Sequence, residues 1–422
     1  MEPVILKNHK KSLNGYFKLT GSKSISNRLL IMKALSGSDV RFENLSKSED
    51  TALLKFYLSF LDTCANSRIA MIVDAKNAGT VMRFITAFAA IRQGKWLITG
   101  HERMKKRPIA PLVEALHELG ANIEYTEEKG FPPIKLLGHQ LQSTDITIDT
   151  RQSSQFVSAL MMIAPYLSYG LTINYKEKPV SEAYIQMTAR LMQQADIDVE
   201  MDSESVKVAP GEYHLKPAYI EPDWSSASYW YELVALSDDA SIFLEGLKED
   251  SCQGDRALAD IFREFGVQTE FQSNGIQILK KGNVSSEFKY NFSNNPDIAP
   301  TVMVTCAALG IKGVFSGINH LRLKESDRIE GLTAELAKID TRLTKSGQSY
   351  VLTPGRSIGS ISEIEFDTYN DHRMAMSFAP LSLLIDTVRI SNPGVVRKSY
   401  PGYWKDLNTL GISVSIPERA CV

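Results

Sequence analysis

Six times along the chain, a short polar stretch leads directly into about ten residues that are apolar nearly all round. The polar stretches lie at residues 21–26, 77–80, 151–155, 222–226, 296–301 and 369–373. The apolar segments that follow include FITAFAAI, FVSALMMIAPYL, ASYWYELVAL and MAMSFAPLSLLI, which are long enough to form helices. Because a helix without a polar face is normally buried, the pattern predicts six buried helices.

Each polar stretch would form the N-terminus of its helix. Free backbone N–H groups and the positive end of the helix dipole make such a terminus a favourable place for an anion. The last four stretches begin at residues 151, 222, 296 and 369, which are 71, 74 and 73 residues apart. Such even spacing indicates an internal repeat. The chain is therefore predicted to repeat one helix-containing unit and to direct helix N-termini at something negative.

A second recurring element is an amphipathic helix followed by an alternating strand. Apolar residues at helical spacing lead into a glycine and then a strand at 112–126 and 258–271, and weaker copies without the glycine lie at 191–201 and 332–345. The repeat is thus strand, buried helix, strand, amphipathic helix, strand. This order predicts an α/β (α+β) fold with sheets packed against a buried helical layer.

The six repeats divide into two groups of three, because a chain of 422 residues is too long for one core. The break is expected near residues 221 and 222, where AYIEPD precedes the fourth buried helix. The N-terminal strand before Gly21 is assigned to the second group. The expected domains are therefore 22–221, and 1–21 together with 222–422.

Composition excludes several functions. Hydrophobic residues make up 43% of the chain, charged residues 23%, and the net charge is −2, so a general nucleic-acid or membrane surface is not expected. The start, MEPVILKNHKK, lacks the apolar core of a signal peptide, and no apolar run is long enough to span a bilayer, so a cytoplasmic protein is expected. The cysteines, at 64, 252, 306 and 421, have neither zinc-site nor disulfide-framework spacing, and Cys306 is expected to pack within a buried helix.

The first and third polar stretches carry several hydrogen-bond donors. In TGSKSISNR, Lys23 and Arg28 bracket the start of a helix, which indicates either a phosphate or carboxylate site or a serine cap with solvated cations. In RQSSQF, Ser153, Ser154 and Gln155 are three donors in succession. Capping needs only one of them, so this stretch favours a bound phosphate.

Other cations stand where a helix would not favour them. Residues 105–107 place three cations near a helix N-terminus, which requires good solvation or a bound anion. In NAGTVMR, Gly79 marks either a plain turn or a close approach of the backbone. In LRLKESDR, Lys324, Glu325 and Arg328 would share one face of a helix, although such residues are also common on solvated faces.

The late polar stretches place charge beside apolar helices. Residues 371–373, Asp-His-Arg, begin a fully apolar helix, where charge is costly to bury without partners. Lys398 lies beside an aromatic cluster, where a lysine that extends to solvent is the alternative. Asp297 and Asp223 both stand where a helix N-cap would lie, and capping is favoured for Asp223.

Taken together, these segments resemble the enolpyruvyl transferase family, and among its members those that act on shikimate 3-phosphate. The matching motifs cover nearly the whole chain in order: GSKSISNR, NAGT, RPIAPL, SSQF, residues 181–184, DWSSASY, PDIAPT, LKESDR, NDHRMAM and RKSYP. The resemblance implies an inside-out α/β barrel in each of two similar domains, each with three repeats around buried parallel helices, and an active site in the cleft between them.

The resemblance also implies transfer of the enolpyruvyl group of phosphoenolpyruvate to the 5-hydroxyl of shikimate 3-phosphate, through a tetrahedral intermediate and without a metal or organic cofactor. The residues expected to hold shikimate 3-phosphate are Lys23, Ser24, Arg28, Ser153, Ser154, Gln155, Ser181, Tyr184, Asp297 and Lys324. The residues expected to hold phosphoenolpyruvate are Lys23, Gly79, Arg107, Gln155, Arg328, Arg373 and Lys398. His320, where many relatives have a small polar residue, is given no role.

The residues expected to carry the chemistry are Lys23, Asp297, Glu325 and Lys398. Glu325 is the candidate for proton delivery to the methylene carbon, and Asp297 for the base at the hydroxyl, with the lysines adjusting their pKa values. Which carboxyl handles which proton is left open by the sequence. Apart from its two substrates no partner is expected, neither nucleic acid nor membrane, and the family is often monomeric.

Two other functions are compatible with the same scaffold. One is transfer of enolpyruvyl to UDP-N-acetylglucosamine, but that group usually carries a loop cysteine just before the arginine matched by Arg107, and GHERMKKRP has none. The other is a non-catalytic anion-binding relative. The joint presence of the candidate catalytic residues disfavours it.

Overall fold

A computed structural model describes residues 2–8, 10, 12–61, 69–142, 144–355 and 358–416. Cys64 and Cys421 lie outside these residues. Cys306 is fully buried within a helix, as predicted, and burial raises the pKa of its thiol.

Strands and helices alternate along the chain. The strands are β1 (Val4–Lys7), β2 (Ser12–Phe17), β3 (Phe42–Glu43), β4 (Met71–Asp74), β5 (Gly94–Thr99), β6 (Asn122–Tyr125), β7 (Ile134–Gly138), β8 (Asp145–Ile148), β9 (Leu171–Tyr175), β10 (Val199–Met201), β11 (Ser205–Val208), β12 (Ala218–Tyr219), β13 (Asp239–Glu245), β14 (Phe265–Gln272), β15 (Gly275–Val284), β16 (Glu287–Asn291), β17 (Lys312–Ser316), β18 (Arg342–Ser346), β19 (Ser349–Thr353), β20 (Glu363–Phe366), β21 (Thr387–Ile390) and β22 (Ser413–Ser415).

The α-helices are α1 (Lys23–Ser36), α2 (Glu49–Leu61), α3 (Gly79–Ala90), α4 (Glu102–Lys105), α5 (Ala110–Glu118), α6 (Ser154–Ile163), α7 (Glu182–Gln193), α8 (Trp224–Leu236), α9 (Leu258–Ile261), α10 (Ala299–Ala308), α11 (Arg328–Ala337), α12 (His372–Phe378) and α13 (Tyr403–Leu410). Short 3₁₀ helices span Ala164–Tyr166, Gly254–Ala257, Phe262–Glu264, Asn319–Leu323, Ile358–Ser360, Ala379–Leu383 and Pro393–Lys398.

One topology is complete in three of the five four-stranded sheets of the described residues, those of β4–β7, β8–β11 and β16–β19, while the other two sheets take β1 or β2 from the start of the chain. Two parallel strands are joined through a buried helix, and an amphipathic helix then leads into a further antiparallel pair, as in β4–α3–β5–α5–β6–β7. Parallel strands cannot be joined by a tight turn, so the apolar helix is the crossover. The strand orders of the five sheets are β4-β5-β7-β6, β10-β11-β9-β8, β14-β15-β13-β2, β16-β17-β19-β18 and β20-β21-β1-β22.

Contacts within the chain divide it into two compact units. Unit 1 consists of Met1–Ser22 and Glu221–Val422, and unit 2 of Lys23–Ile220. Unit 1 contains three of the four-stranded sheets, with β2 parallel to β13. Unit 2 contains the other two and a pair of short parallel strands, β3 and β12.

The helices predicted to be buried begin at the predicted polar stretches and are largely enclosed, α1 less than the others. They are α1, α3 and α6 in unit 2 and α8, α10 and α12 in unit 1. Every residue of α3 and α12 is buried, as is every residue of α8 except Ser225. The prediction of six buried helices is therefore confirmed.

The repeats without a glycine still end their helices in the same way. Gly120 and Gly266 have φ of 93° and 74°, in the left-handed region that glycine adopts easily. At the corresponding points of the two weaker copies, Asp196 and Asp340 have φ of 64° and 56°. Aspartate tolerates this region because its short side chain can bond locally, so the turn survives without glycine.

Glu232 is a carboxyl in the middle of the buried helix α8. It is fully buried, and neither of its carboxyl oxygens accepts a hydrogen bond from a described residue. Burial raises the pKa of Glu232 well above its ordinary value, because a charged carboxylate is poorly solvated there. The folded protein therefore holds this side chain in its neutral form.

Replacing Glu232 by glutamine is expected to change how stability depends on pH. A carboxyl whose pKa is raised on folding stabilises the fold fully only below its unfolded pKa of about 4.3, and this contribution is lost as the pH rises towards the folded pKa. Glu232→Gln should therefore have a higher thermal midpoint than the wild type at pH 8, and lose the advantage near pH 4.5. Differential scanning calorimetry across this range measures the effect.

Glu287→Gln is the matched control, since the side chain of Glu287 is 75% exposed. It should follow the wild type at every pH. If the thermal midpoint of Glu232→Gln also followed that of the wild type at every pH, Glu232 would have to be ionised in the folded protein.

Among the described residues, no helix combines the length and apolar character needed to cross a membrane.

Candidate active site

Arg328 joins three carboxylates inside unit 1, and its side chain is 1% exposed. Its Nη1 lies 3.2 Å from Oδ1 of Asp297, and its Nη2 lies 2.9 Å from Oε2 of Glu325. Its Nε lies 2.8 Å from Oδ2 of Asp371. The planar guanidinium can serve several carboxylate oxygens at once, as lysine cannot. It therefore fixes both acidic side chains expected to transfer protons.

Asp297 lies just before α10 and receives two further cations. Nη2 of Arg373 is 2.9 Å from its Oδ2, and Nζ of Lys324 is 3.8 Å from its Oδ1. Its alternative role as a helix cap is wrong, because the N-cap position is Ile298 and α10 has no side-chain cap. The carboxylate is directed at cations instead.

Two other aspartates at helix starts, Asp223 and Asp371, do act as caps. Asp223 accepts a hydrogen bond from the N–H of Ser226 at 3.2 Å, as predicted. Asp371 is fully buried and accepts from the N–H of Arg373 at 2.9 Å. Because Asp371 also receives Arg328, it ties the start of α12 to the start of α11.

Glu325 lies between two cations. Its side chain is 10% exposed, and Nζ of Lys398 lies 3.6 Å from its Oε1, on the side away from Arg328. Lys398 ends the 3₁₀ helix Pro393–Lys398 and its side chain is 11% exposed. The alternative that this lysine extends to solvent is wrong.

Lys324, Glu325 and Arg328 do not share a helix face. Lys324 follows a 3₁₀ helix in an extended conformation, and α11 begins only at Arg328. Asp327 caps α11 by accepting from the N–H of Glu330 at 3.0 Å, and this fixes the helix start. The three side chains meet through Asp297 and their own ion pairs, so the helical explanation for their grouping is wrong.

The cations keep Asp297 ionised. Burial alone would raise the pKa of Asp297, but Arg373, Lys324 and Arg328 hold it well below its ordinary value. Burial would lower the pKa of Arg328, but Asp371, Glu325 and Asp297 raise it further above its ordinary value. Burial and Lys324 lower the pKa of nearby His320 to about 3, so that imidazole is neutral at pH 7.

In unit 2, Lys23 is the first residue of α1. Its Nζ lies 3.2 Å from Oδ2 of Asp50 in the first turn of α2, and both side chains are largely buried. The ammonium group is thereby held in one position near the helix N-terminus. The alternative explanation from the sequence, that Lys23 is a solvated cation, is therefore wrong for this residue.

Arg28 is 1% exposed and enclosed by protein groups. Its Nε donates to Oγ1 of Thr188 at 2.6 Å, Nη1 to the carbonyl of Ser24 at 3.0 Å, and Nη2 to Oγ of Ser158 at 3.1 Å. The guanidinium also lies 5.5 Å from the ring centroid of Phe84. These contacts join α1 to α6 and α7, so Arg28 contributes to the packing of these helices whatever it binds.

Gly79 lies against two arginines. A Cβ at this position would lie 2.6 Å from Nη2 of Arg107, closer than a real side chain allows, and 3.0 Å from Nη1 of Arg83, which is a tight contact. Arg83 in turn donates to Oε1 of Gln155 at 2.7 Å. Glycine is thus required for the close approach of these cations, and the plain-turn explanation is insufficient.

The other predicted residues of unit 2 lie at the starts of α6 and α7. Ser153 caps α6 by accepting from the N–H of Gln155 at 3.2 Å, while Ser154 is buried in the first turn. Ser181 precedes α7 in the left-handed region, with φ of 57°, and Tyr184 lies one turn later. Capping therefore accounts for one of the three donors in RQSSQF.

Two charged residues of these groups were given no role from the sequence. Arg83 is 5% exposed within α3, a helix that is otherwise almost entirely apolar. A buried charge needs partners, so the position of Arg83 in the sequence could have marked it as a functional residue. Asp50 offered no signal, because an acidic residue in the first turn of a helix is common.

Before any substrate is counted, the group in unit 1 is nearly balanced in charge. It has four cations, Lys324, Arg328, Arg373 and Lys398, and three carboxylates, Asp297, Glu325 and Asp371, which gives a net charge of +1. Such a group can bind an anion with its cations and exchange protons with its carboxylates. Among the described residues, no cluster of three or more His, Cys, Asp or Glu could hold a metal ion.

Comparison with known proteins identifies one family. The profile of "EPSP synthase (3-phosphoshikimate 1-carboxyvinyltransferase)" matches residues 7–407. A 3-phosphoshikimate 1-carboxyvinyltransferase of Bacteroides fragilis (strain YCH46) is 42% identical over 403 residues, covering 95% of this chain and 96% of the relative. One of Colwellia psychrerythraea is 33% identical over 417 residues, covering 94% and 96%.

A solved structure gives the same result for the fold. The structure of EPSP synthase from Acinetobacter baumannii aligns with a TM-score of 0.76, covering 99% of this chain and all of the other. The two sequences are 20% identical, so this likeness concerns the fold.

Proposed function

The chain belongs to the EPSP synthase family, and we propose that the side chains described above hold and convert its two substrates. The protein is an enzyme that transfers the enolpyruvyl group of phosphoenolpyruvate to the 5-hydroxyl of shikimate 3-phosphate, in the biosynthesis of aromatic compounds. The observation that carries this function is the family match over residues 7–407. The predicted fold class, two-domain inside-out α/β, is confirmed by the likeness in fold.

The residues proposed for phosphoenolpyruvate are mainly arginines and lysines. In unit 1, Arg328, Arg373 and Lys398 are largely buried and already directed at carboxylates, so an anion can share them at little entropic cost. In unit 2, Arg107 and Gly79 form a close pair, and the other residues of this set are Lys23 and Gln155. The proposal is supported by the fact that a neighbouring group holds each of these cations in place.

Shikimate 3-phosphate is held chiefly by the helix starts of unit 2. Lys23 and Ser24 lie in the first turn of α1, and the other residues of unit 2 in this set are Arg28, Ser153, Ser154, Gln155, Ser181 and Tyr184. The proposed set also includes Lys324 and Asp297. Hydroxyl groups and backbone N–H groups at helix N-termini suit a phosphate.

The reaction requires two proton transfers in each half. In the addition, Asp297 takes the proton of the 5-hydroxyl as the hydroxyl oxygen attacks C2 of phosphoenolpyruvate, and Glu325, in its protonated form, delivers a proton to C3. In the elimination, the Glu325 carboxylate takes a proton back from C3 as the C2–O bond to phosphate breaks, which restores the double bond, and Asp297 gives its proton to the departing phosphate. General acid and base catalysis of this kind contributes about 10²- to 10⁴-fold per group.

The shared cations couple substrate binding to basicity. Arg328 and Arg373, which lower the pKa of Asp297, are also two of the ligands proposed for phosphoenolpyruvate. An anion that binds both arginines reduces the positive potential at Asp297 and so raises its pKa. The carboxylate becomes a better base when the second substrate is in place.

Phosphate release is expected to depend on shikimate 3-phosphate. Purified protein with phosphoenolpyruvate should release phosphate at a steady rate when shikimate 3-phosphate is added, and should not when UDP-N-acetylglucosamine is added instead. A phosphate-release assay with each acceptor, and with neither, measures this. Release with the sugar nucleotide alone would assign the protein to the rival transferase, and tight binding of both substrates without release would indicate a non-catalytic relative.

A monomeric enzyme in the cytoplasm that needs no cofactor is part of the same proposal. Size-exclusion chromatography with light scattering tests the oligomeric state.

A further inference from the structure

Asp255 is a buried carboxyl that no step above uses. It lies in the 3₁₀ helix Gly254–Ala257 and is 4% exposed. Its Oδ2 accepts a hydrogen bond from Oγ of Ser225 at 2.5 Å, and its Oδ1 has no hydrogen-bond partner among the described residues. A buried carboxyl oxygen left without a partner is costly, so the position calls for an explanation.

The segment of Asp255 is bonded to the loop that carries Asp297. The side chain of Asn295 donates from Nδ2 to the carbonyl of Gly254 at 2.6 Å. Its Oδ1 accepts from the hydroxyl of Tyr290 at 3.0 Å. Asn295 stands two residues before Asp297, so the two carboxyl groups belong to adjacent segments that are fixed to each other.

Charged and titratable groups from several elements lie near Asp255. They are Asp223 near the start of α8, Asp297 before α10, Arg373 in α12, Tyr290 in β16 and Arg256 in its own segment. Burial and then the charge of Asp297 raise the pKa of Asp255 to about 7, while Ser225 and Arg373 oppose the rise. The carboxyl therefore changes charge within the working range of a cytoplasmic enzyme.

We propose that Asp255 is a positioning residue that makes Asp297 a stronger base when Asp255 is ionised. The inference depends on the role proposed above for Asp297. Arg373, Lys324 and Arg328 stabilise the Asp297 carboxylate so strongly that it binds a proton weakly. A second negative charge behind it offsets part of that stabilisation, because interacting carboxyls titrate as a pair.

The pH profile of the reaction follows from this coupling. As Asp255 loses its proton near pH 7, the basicity of Asp297 increases, and kcat increases with it. Brønsted behaviour converts a change of one to two pKa units in a general base into about a three- to tenfold change in rate. The wild type should therefore show a rise in kcat centred near pH 7.

The test compares the kcat profiles of wild type, Asp255→Asn and Ser225→Ala from pH 5.5 to 9, with phosphate release as the readout. Asp255→Asn should equal the wild type within about twofold at pH 6, and be about three- to tenfold slower at pH 8.5, without the rise near pH 7. Ser225→Ala removes a bond that lowers the pKa of Asp255, so it should keep the rise and move it to higher pH. Asp260→Asn, whose side chain is 56% exposed in the next helix, is the control and should match the wild type.

A loss of rate by the same factor at every pH in Asp255→Asn would overturn the proposal, since it would indicate a merely structural role. An unshifted rise in Ser225→Ala would overturn it as well, and this variant remains informative if Asp255→Asn does not fold. The role of Asp297 is checked separately by Asp297→Asn. If that variant kept the wild-type rate, the assignment of the base would fail, whatever Asp255 does.

Discussion

Glu325→Gln is expected to lower kcat by about two to four orders of magnitude, because the amide cannot deliver a proton to the methylene carbon. Binding should change little. Glutamine keeps the shape of the side chain and can still accept a hydrogen bond from Arg328, which lies 2.9 Å from the carboxylate. Steady-state kinetics give kcat, and calorimetric titration with shikimate 3-phosphate gives the dissociation constant. A KM change without a kcat change would indicate lost binding rather than lost proton transfer.

Glu330→Gln is the matched control for this variant. It removes an acidic group five residues away, at an exposed position in the first turn of α11, and should leave kcat within about twofold of the wild type. Turnover of Glu325→Gln near the wild-type rate would exclude Glu325 as the proton donor. The proton would then have to come from another group.

Arg328→Met is expected to destabilise unit 1 by about 3–5 kcal/mol, since removing one partner of a buried ion pair leaves an uncompensated charge. Asp371 is the most affected, because it is fully buried and receives Arg328 at 2.8 Å. Chemical denaturation followed by tryptophan fluorescence measures the loss, and Trp224, Trp230 and Trp404 all lie in unit 1.

The effect should diminish in acid, and the sign follows from Asp297. A carboxyl whose pKa is lowered on folding stabilises the fold above its unfolded pKa of about 3.9 and loses this contribution as the pH falls towards the folded value. The stabilities of wild type and Arg328→Met should therefore begin to approach each other as the pH falls below about 4. Arg322→Met is the control, because Arg322 is 46% exposed where it pairs with Asp327, and its loss should cost less than about 1 kcal/mol. A cost as small as this at position 328 would contradict the central role of that arginine.

The buried helices were predictable because a helix that is buried all round has apolar residues on every face. FITAFAAI has no polar face, and α3 is buried at every position. The amphipathic helices and the strands after them were predictable for the same reason of periodicity. The turn that ends them tolerates aspartate as well as glycine, so Asp196 and Asp340 made two repeats look weaker than they are.

The site was predictable as a set of residues, but its internal arrangement was not. Motif order singled out Lys324, Glu325 and Arg328. They do not lie on one helix, however, because Asp327 caps α11 and the helix begins only at Arg328. Asp297 resembled an ordinary cap in the sequence. Its actual partners, Arg328 and Arg373, are 31 and 76 residues away, and no local pattern records such distances.

By itself, the sequence therefore determined the repeat, its buried helices and the family, since each depends on local periodicity or on short motifs in a fixed order. The tertiary structure alone decided which charges meet. It placed Arg328 among three carboxylates, left Glu232 without a hydrogen bond inside α8, and brought the segment of Asp255 against the loop of Asp297. Electrostatic energies depend on distance and burial, and these are set by contacts between segments far apart in the chain.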